Sequence, residues 1–158
     1  ERICKNPLKR ALRVDSMILA ALSEVLKLYR HPDSLAETLP TLRQLTRPVT
    51  EIEAQAARLC DELANYLPRT FWAATTSCLS QIGSGALPVE TIPSYAIAIE
   101  SAEGRDSDLR RLAAELRKLP RPVIGRIHDG SLLLDLRCLD CESIFLQQLP
   151  QLRNALSC

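Results

Sequence analysis

The stretch VIGRIHDGSLLLDLR, Val123 to Arg137, decides the fold. Asp129-Gly130 suits the positive φ values of a two-residue turn. On its carboxyl side, Leu132, Leu134 and Leu136 alternate with Leu133, Asp135 and Arg137, which sets an all-leucine row on one face of a strand. The pattern predicts a hairpin of Val123–His128 and Ser131–Arg137. Upstream, Leu109, Leu112, Leu116 and Leu119 recur at helical spacing, with Ser107 as the expected cap and Pro120 and Pro122 as the stop. Before that helix, Ser94–Glu100 reads as a strand with Tyr95, Ile97 and Ile99 on one side. Phe71–Leu79 reads as another, and Gly83-Ser84-Gly85 as a turn or loop between them. Downstream, a helix starts near Cys141 and should bend or stop before Pro150.

The amino-terminal part is helical. Asp15 or Ser16 caps a helix to about Arg30, with Ile18, Leu22, Val25 and Tyr29 as its apolar stripe. His31-Pro32 ends it. A short helix spans Leu39 to Thr46. Thr50 and Glu53 have the spacing of a capping box, ahead of a stripe of Ile52, Ala56, Leu59, Leu63 and Tyr66. The expected architecture is α+β. Connecting helices over residues 1–48 precede a small β-β-α-β-β-α domain over residues 49–158, with an antiparallel sheet covered by helices on one face.

Hydrophobic residues make up 46% of the 158, enough for a core, while aromatics are only 4%, so leucine, isoleucine, valine and alanine must fill it. No apolar run approaches the roughly 20 residues that a membrane span needs. Cys4, Cys60, Cys78, Cys138, Cys141 and Cys158 are expected as reduced thiols in the cytoplasm, because no export signal is visible. Cys138-Leu-Asp-Cys141 has C-x-x-C spacing. A zinc site needs a second pair or histidines, and His31 and His128 are the only two, so no metal site is expected.

Positive charge is concentrated at the amino end. Arg2, Lys5, Lys9, Arg10 and Arg13 fall in the first thirteen residues of a chain whose net charge is +1. On a helix, Arg10 and Arg13 would be neighbours, with Lys9 beside them. Two adjacent guanidiniums make a clamp for a phosphate-like anion. The same run also fits a solvated basic face. Gly83-Ser84-Gly85 matches neither a nucleophile elbow nor a dinucleotide loop. Without interleaved aromatics or a broad basic patch, nothing identifies a standalone nucleic-acid binder.

Several blocks resemble one family: Asn6–Asp15 (NPLKRALRVD), Leu39–Arg47 (LPTLRQLTR), Cys78–Pro88 (CLSQIGSGALP), Pro122–Gly130 (PVIGRIHDG) and Leu134–Leu139 (LDLRCL). Together they are similar to the carboxy-terminal part of bacterial L-seryl-tRNA(Sec) selenium transferases. The likeness runs from about Asn6 to Leu149. It implies a fold-type I, pyridoxal-phosphate-dependent parent that converts seryl-tRNA(Sec) to selenocysteinyl-tRNA(Sec) with selenophosphate. It also implies a homo-oligomer, often a ring of dimers, in the cytoplasm.

By the same resemblance, Arg10 and Arg13 match arginines associated with selenophosphate binding, and residues 49–158 match the small domain that closes over the active site. The start without methionine fits a segment of a longer chain. The four lysines, Lys5, Lys9, Lys27 and Lys118, lack the family's cofactor-lysine pattern. The segment alone is therefore expected to hold no cofactor and to be inactive. Two alternatives are a related cofactor-dependent lyase acting on a small amino acid and a noncatalytic interaction module.

Overall fold

The computed structural model describes residues 6–9, 13–82 and 90–156. The chain divides into two compact units, Glu1–Thr46 and Arg47–Cys158.

In the first unit, a 3-10 turn at Pro7–Lys9 precedes helix α1, Ser16–Leu28. Asp15 is its cap: Oδ1 accepts from the Ile18 amide at 2.9 Å, which satisfies one of the helix's orphan donors. A 3-10 turn at Pro32–Ser34 leads into α2, Leu35–Thr38, and then α3, Pro40–Thr46. The proline at the start of α3 is pre-set for a first helical turn and divides this stretch into two short helices.

The second unit opens with α4, Val49–Ala64. The expected capping box does not form. Pro48 stands at the cap position in extended conformation (φ −60°, ψ 137°), so the helix starts two residues early, at Val49, and Thr50 lies inside its first turn. Strands β1, Phe71–Gln81, and β2, Thr91–Ser101, pair antiparallel over their whole length. Helix α5, Asp106–Lys118, follows. Its cap is Arg105, with no side-chain hydrogen bond, instead of Ser107.

Strands β3, Arg126–His128, and β4, Ser131–Asp135, flank Asp129 (φ 48°) and Gly130 (φ 74°). Both turn residues are left-handed, as a twisted two-residue hairpin requires. β3 is shorter than the alternation suggested, because the Val123 amide bonds the Leu116 carbonyl at the end of α5 instead of a strand. The carboxy-terminal helix breaks at Gln148 into α6, Glu142–Gln147, and α7, Leu149–Leu156. Pro150 sits in the first turn of α7, where its missing N–H costs nothing.

The sheet order is β1-β2-β4-β3, antiparallel throughout. Register places Ile97 opposite Leu134 and Ile99 opposite Leu132. These four side chains join Ile52, Leu59 and Leu63 of α4, Leu109, Leu112 and Leu116 of α5, and Leu149 and Leu152 of α7 in one core. Strand alternation turns Trp72, Cys78, Ala96, Ala98 and Leu133 to the opposite face. There Trp72 is half exposed.

Gly125 lies close against β4. A Cβ built there would lie 2.8 Å from the Leu133 carbonyl oxygen and 2.7 Å from Leu134 Cδ2. Gly125→Ala is expected to lower stability by about 1–3 kcal/mol through overpacking. An unchanged urea midpoint would refute that contact. A second expectation concerns Asp108. Its carboxyl titrates below its usual range because the Ser101 hydroxyl donates to it at 3.0 Å and Arg105 Nε at 3.1 Å. A lowered folded-state pKa stabilises above the ordinary aspartate pKa, and the effect is lost as pH falls through the folded value. Asp108→Asn should therefore be less stable than the parent at neutral pH, with the two melting curves converging in acid.

Candidate functional site

The amino-terminal arginines are the first candidates. Arg10 lies outside the described residues. Arg13 is exposed and precedes α1 without helical structure, since residues 13–15 lead into the Asp15 cap. Arg13 thus lies outside α1, which starts three residues later at Ser16 behind the Asp15 cap. α1 carries Met17, Ile18, Leu22 and Val25, and its C-cap is Tyr29, all exposed, with Met17 at 82%. None of its residues is buried.

In the second unit, the polar side chains gather where β4 ends. Arg137 is 4% exposed. Its guanidinium donates to the Pro93 carbonyl and, at 3.2 Å, to the Arg47 carbonyl. Arg47 in turn donates to the carbonyls of Leu136 (3.1 Å) and Leu139 (3.2 Å) and to Gln55 Oε1 (2.7 Å). Gln55 Nε2 closes the ring on the Leu139 carbonyl at 3.3 Å. Asp135 accepts from the Ser80 hydroxyl, from the Ser94 hydroxyl at 2.7 Å and from the Arg137 amide at 3.1 Å. These groups point at one another and at backbone carbonyls. The arrangement fixes the chain path at residue 47.

The other candidates separate. His128 stands at the hairpin tip beside Asp129, with Nε2 3.2 Å from Oδ2, and both are exposed. His31 precedes the Pro32 turn in the other unit. Gly83-Ser84-Gly85 lies outside the described residues. Among the described residues, no three His, Cys, Asp or Glu side chains converge to hold a metal ion. Cys60 is buried, and burial first, then Asp61, pushes its thiol pKa up. Cys138 and Cys141 line one cavity of about 300 Å³ with Arg121, Leu139, Phe145 and Gln148.

A Schiff-base lysine needs an enclosed setting that lowers its pKa. Lys27 and Lys118 have the reverse. Their side chains are 59% and 70% exposed, and their ammoniums sit 2.5 Å and 2.7 Å from Glu24 and Glu115.

The profile of the L-seryl-tRNA selenium transferase family matches residues 1–140. The chain belongs to that family. It is similar to the L-seryl-tRNA(Sec) selenium transferase of Methylocella silvestris, 55% identical over 152 residues that make up 96% of this chain and 32% of the relative. The enzyme of the same name from Escherichia coli O139:H28 is 54% identical over 148 residues, 94% of this chain and 32% of its own length. The chain thus spans about a third of the length of these curated relatives. No helix among the described residues is long and apolar enough to cross a membrane.

Sequence reasoning missed the Arg47–Gln55–Arg137 cluster. Asp135 and Arg137 alternate with the leucines of β4 and fall on its other face, which gave no signal of a cluster. Its partners lie up to 92 residues away and share no local pattern. Arg47→Ala in this selenium transferase segment is expected to cost about 2–4 kcal/mol, since it strips donors from half-buried carbonyls. Arg47→Lys should recover less than half of the loss, because a point-charge ammonium cannot replace the fork. Equal urea midpoints for the alanine variant and the parent would show the cluster to be dispensable.

Proposed function

We propose that this chain is the carboxy-terminal segment of a pyridoxal-phosphate-dependent enzyme that converts seryl-tRNA(Sec) to selenocysteinyl-tRNA(Sec) with selenophosphate. The supporting observation is identity of 54–55% over nearly the whole chain to a third of two enzymes that bear the selenium transferase name. Those names favour this reading over a small-amino-acid lyase. The α+β unit of residues 47–158 then corresponds to the small domain of a fold-type I transferase. The helices before it correspond to the connection from a larger domain. The exposed apolar stripe of α1 suits a helix that packs on protein beyond these residues.

Lys27 and Lys118 do not fit the cofactor-bearing role, and in this reading the pyridoxal phosphate belongs to the remainder of the parent. When bound there, it supplies the electron sink for exchange at the seryl side chain. The contribution assigned to this segment is electrostatic. Arg10 and Arg13 carry fixed positive charge, and guanidinium forks match the oxygens of a phosphate-like donor. Seryl-tRNA(Sec), a homo-oligomeric parent and a cytoplasmic setting belong to the same reading.

Replacement of Arg10 and Arg13 by alanine in the full-length parent tests it. Each loss should weaken use of selenophosphate by about tenfold to a hundredfold, the size of a lost charge-assisted hydrogen bond. Binding of seryl-tRNA(Sec) should be unchanged. The 158-residue chain alone should show no turnover in the same assay. Unaltered selenium incorporation in the double variant would refute the arginine assignment, and turnover by the isolated chain would refute the division of labour.

A further inference from the structure

The C-x-x-C pair is absorbed by neither the fold nor the transferase reading. Cys138 and Cys141 are both exposed, both free, and line the same cavity of about 300 Å³. The chain turns here: the Leu139 amide bonds the Leu136 carbonyl at 3.0 Å, and α6 begins at Glu142. Asp140 lies between the two cysteines and Arg121 lines the cavity wall. Among the described residues no third ligand joins the two sulfurs, which alone fall short of a zinc site.

We propose that Cys138 and Cys141 form a reversible dithiol–disulfide pair, a modification site for small exposed disulfides of the glutathione type. The two thiols differ in the way such a pair requires. Cys141 Sγ lies 3.2 Å from the Ser143 hydroxyl. That contact first, and the Ile144 backbone amide second, hold its pKa below the usual thiol value. Partial desolvation against the cavity wall, then Asp135 and Asp140, push the Cys138 pKa up. The Cys141 thiolate is therefore the attacking group. It forms a mixed disulfide with one half of the small disulfide and expels the other half as thiolate. Cys138 then loses its proton to solvent and attacks Cys141 Sγ, which expels the second half. One small disulfide is reduced to two thiols, and the protein dithiol is oxidised to one internal disulfide.

The location gives the pair a consequence. The bridge would enclose Leu139, whose carbonyl accepts from Arg47 and Gln55. The redox state of the two sulfurs is thereby written onto the turn that holds the first residue of the second unit.

The test uses the chain with Cys4→Ser and Cys158→Ser, so that the described thiols report alone. Oxidised glutathione is added at neutral pH, and free thiols are alkylated and mapped by mass spectrometry. An internal Cys138–Cys141 link is expected, lighter by two hydrogens and reversed by dithiothreitol. With Cys138→Ser, a glutathione adduct should remain on Cys141. With Cys141→Ser, the adduct on Cys138 should form about tenfold more slowly, following the thiolate fraction. Two adducts on one chain without an internal link would overturn the proposal. So would equal rates in the two single variants, or modification of Cys78 while both cavity thiols stay reduced.

Discussion

A guanidinium that cannot lose its charge is buried at the end of β4, and the second unit is built around satisfying it. Burial of an unpaired cation would be prohibitive, so the protein must supply oxygens in place of water. It does so from distant parts of the chain. Pro93 on β2 and Arg47 at the start of the unit give carbonyls to Arg137. Arg47 then gives its own fork back to the turn that follows β4. Asp135 collects the hydroxyls of Ser80 on β1 and Ser94 on β2. Three strands and the incoming chain are tied at one end of the sheet by polar contacts with definite directions.

The apolar core is less directional. Ile97, Ile99, Leu132 and Leu134 form the layer against which α4, α5 and α7 rest. Leucine-rich packing of this kind tolerates rearrangement as long as volume is kept, so it determines that helices cover this face more than it determines their register. Register comes from the hairpin, where Asp129 and Gly130 both take left-handed φ, and from Gly125, which lets the chain lie close against β4. A one-residue slip of β4 would move its leucines to the opposite face and carry Asp135 and Arg137 away from their partners.

These two kinds of interaction explain what was legible before the structure. The leucine rows of α5 and β4, the Tyr95–Ile97–Ile99 face and the Asp129-Gly130 turn announce themselves by spacing alone. Helix starts were harder. Asp15 caps α1 as its residue type suggests, but Pro48 and Arg105 displaced the hydroxyl caps expected at Thr50 and Ser107. Proline imposes its φ whatever the neighbouring side chains offer. The 310–α2–α3 succession over residues 32–46 reflects two prolines within nine residues of one another, where spacing suggested one short helix. The Arg47–Arg137 cluster was not legible at all, since hydrogen bonds between residues about 90 positions apart leave no periodicity.

The same contrast bears on where chemistry can occur. An anion site requires cationic donors whose geometry leaves them available to a ligand. In the second unit, Arg47 and Arg137 spend their forks on carbonyl oxygens, and Arg58 and Arg105 face Glu142 and Glu103. A phosphate-like ligand at any of these four would have to displace intramolecular acceptors already held at hydrogen-bond distance. Arg13, by contrast, is exposed ahead of a capped helix, on the segment whose apolar face is also exposed. A segment with water-facing leucines and a water-facing guanidinium has two needs that one larger partner surface can meet together. Burial of the leucines removes apolar area from water. The lowered local dielectric that results strengthens the attraction of the arginine for an anion. On this logic, the anion binding proposed for Arg13 should be coupled to docking of α1.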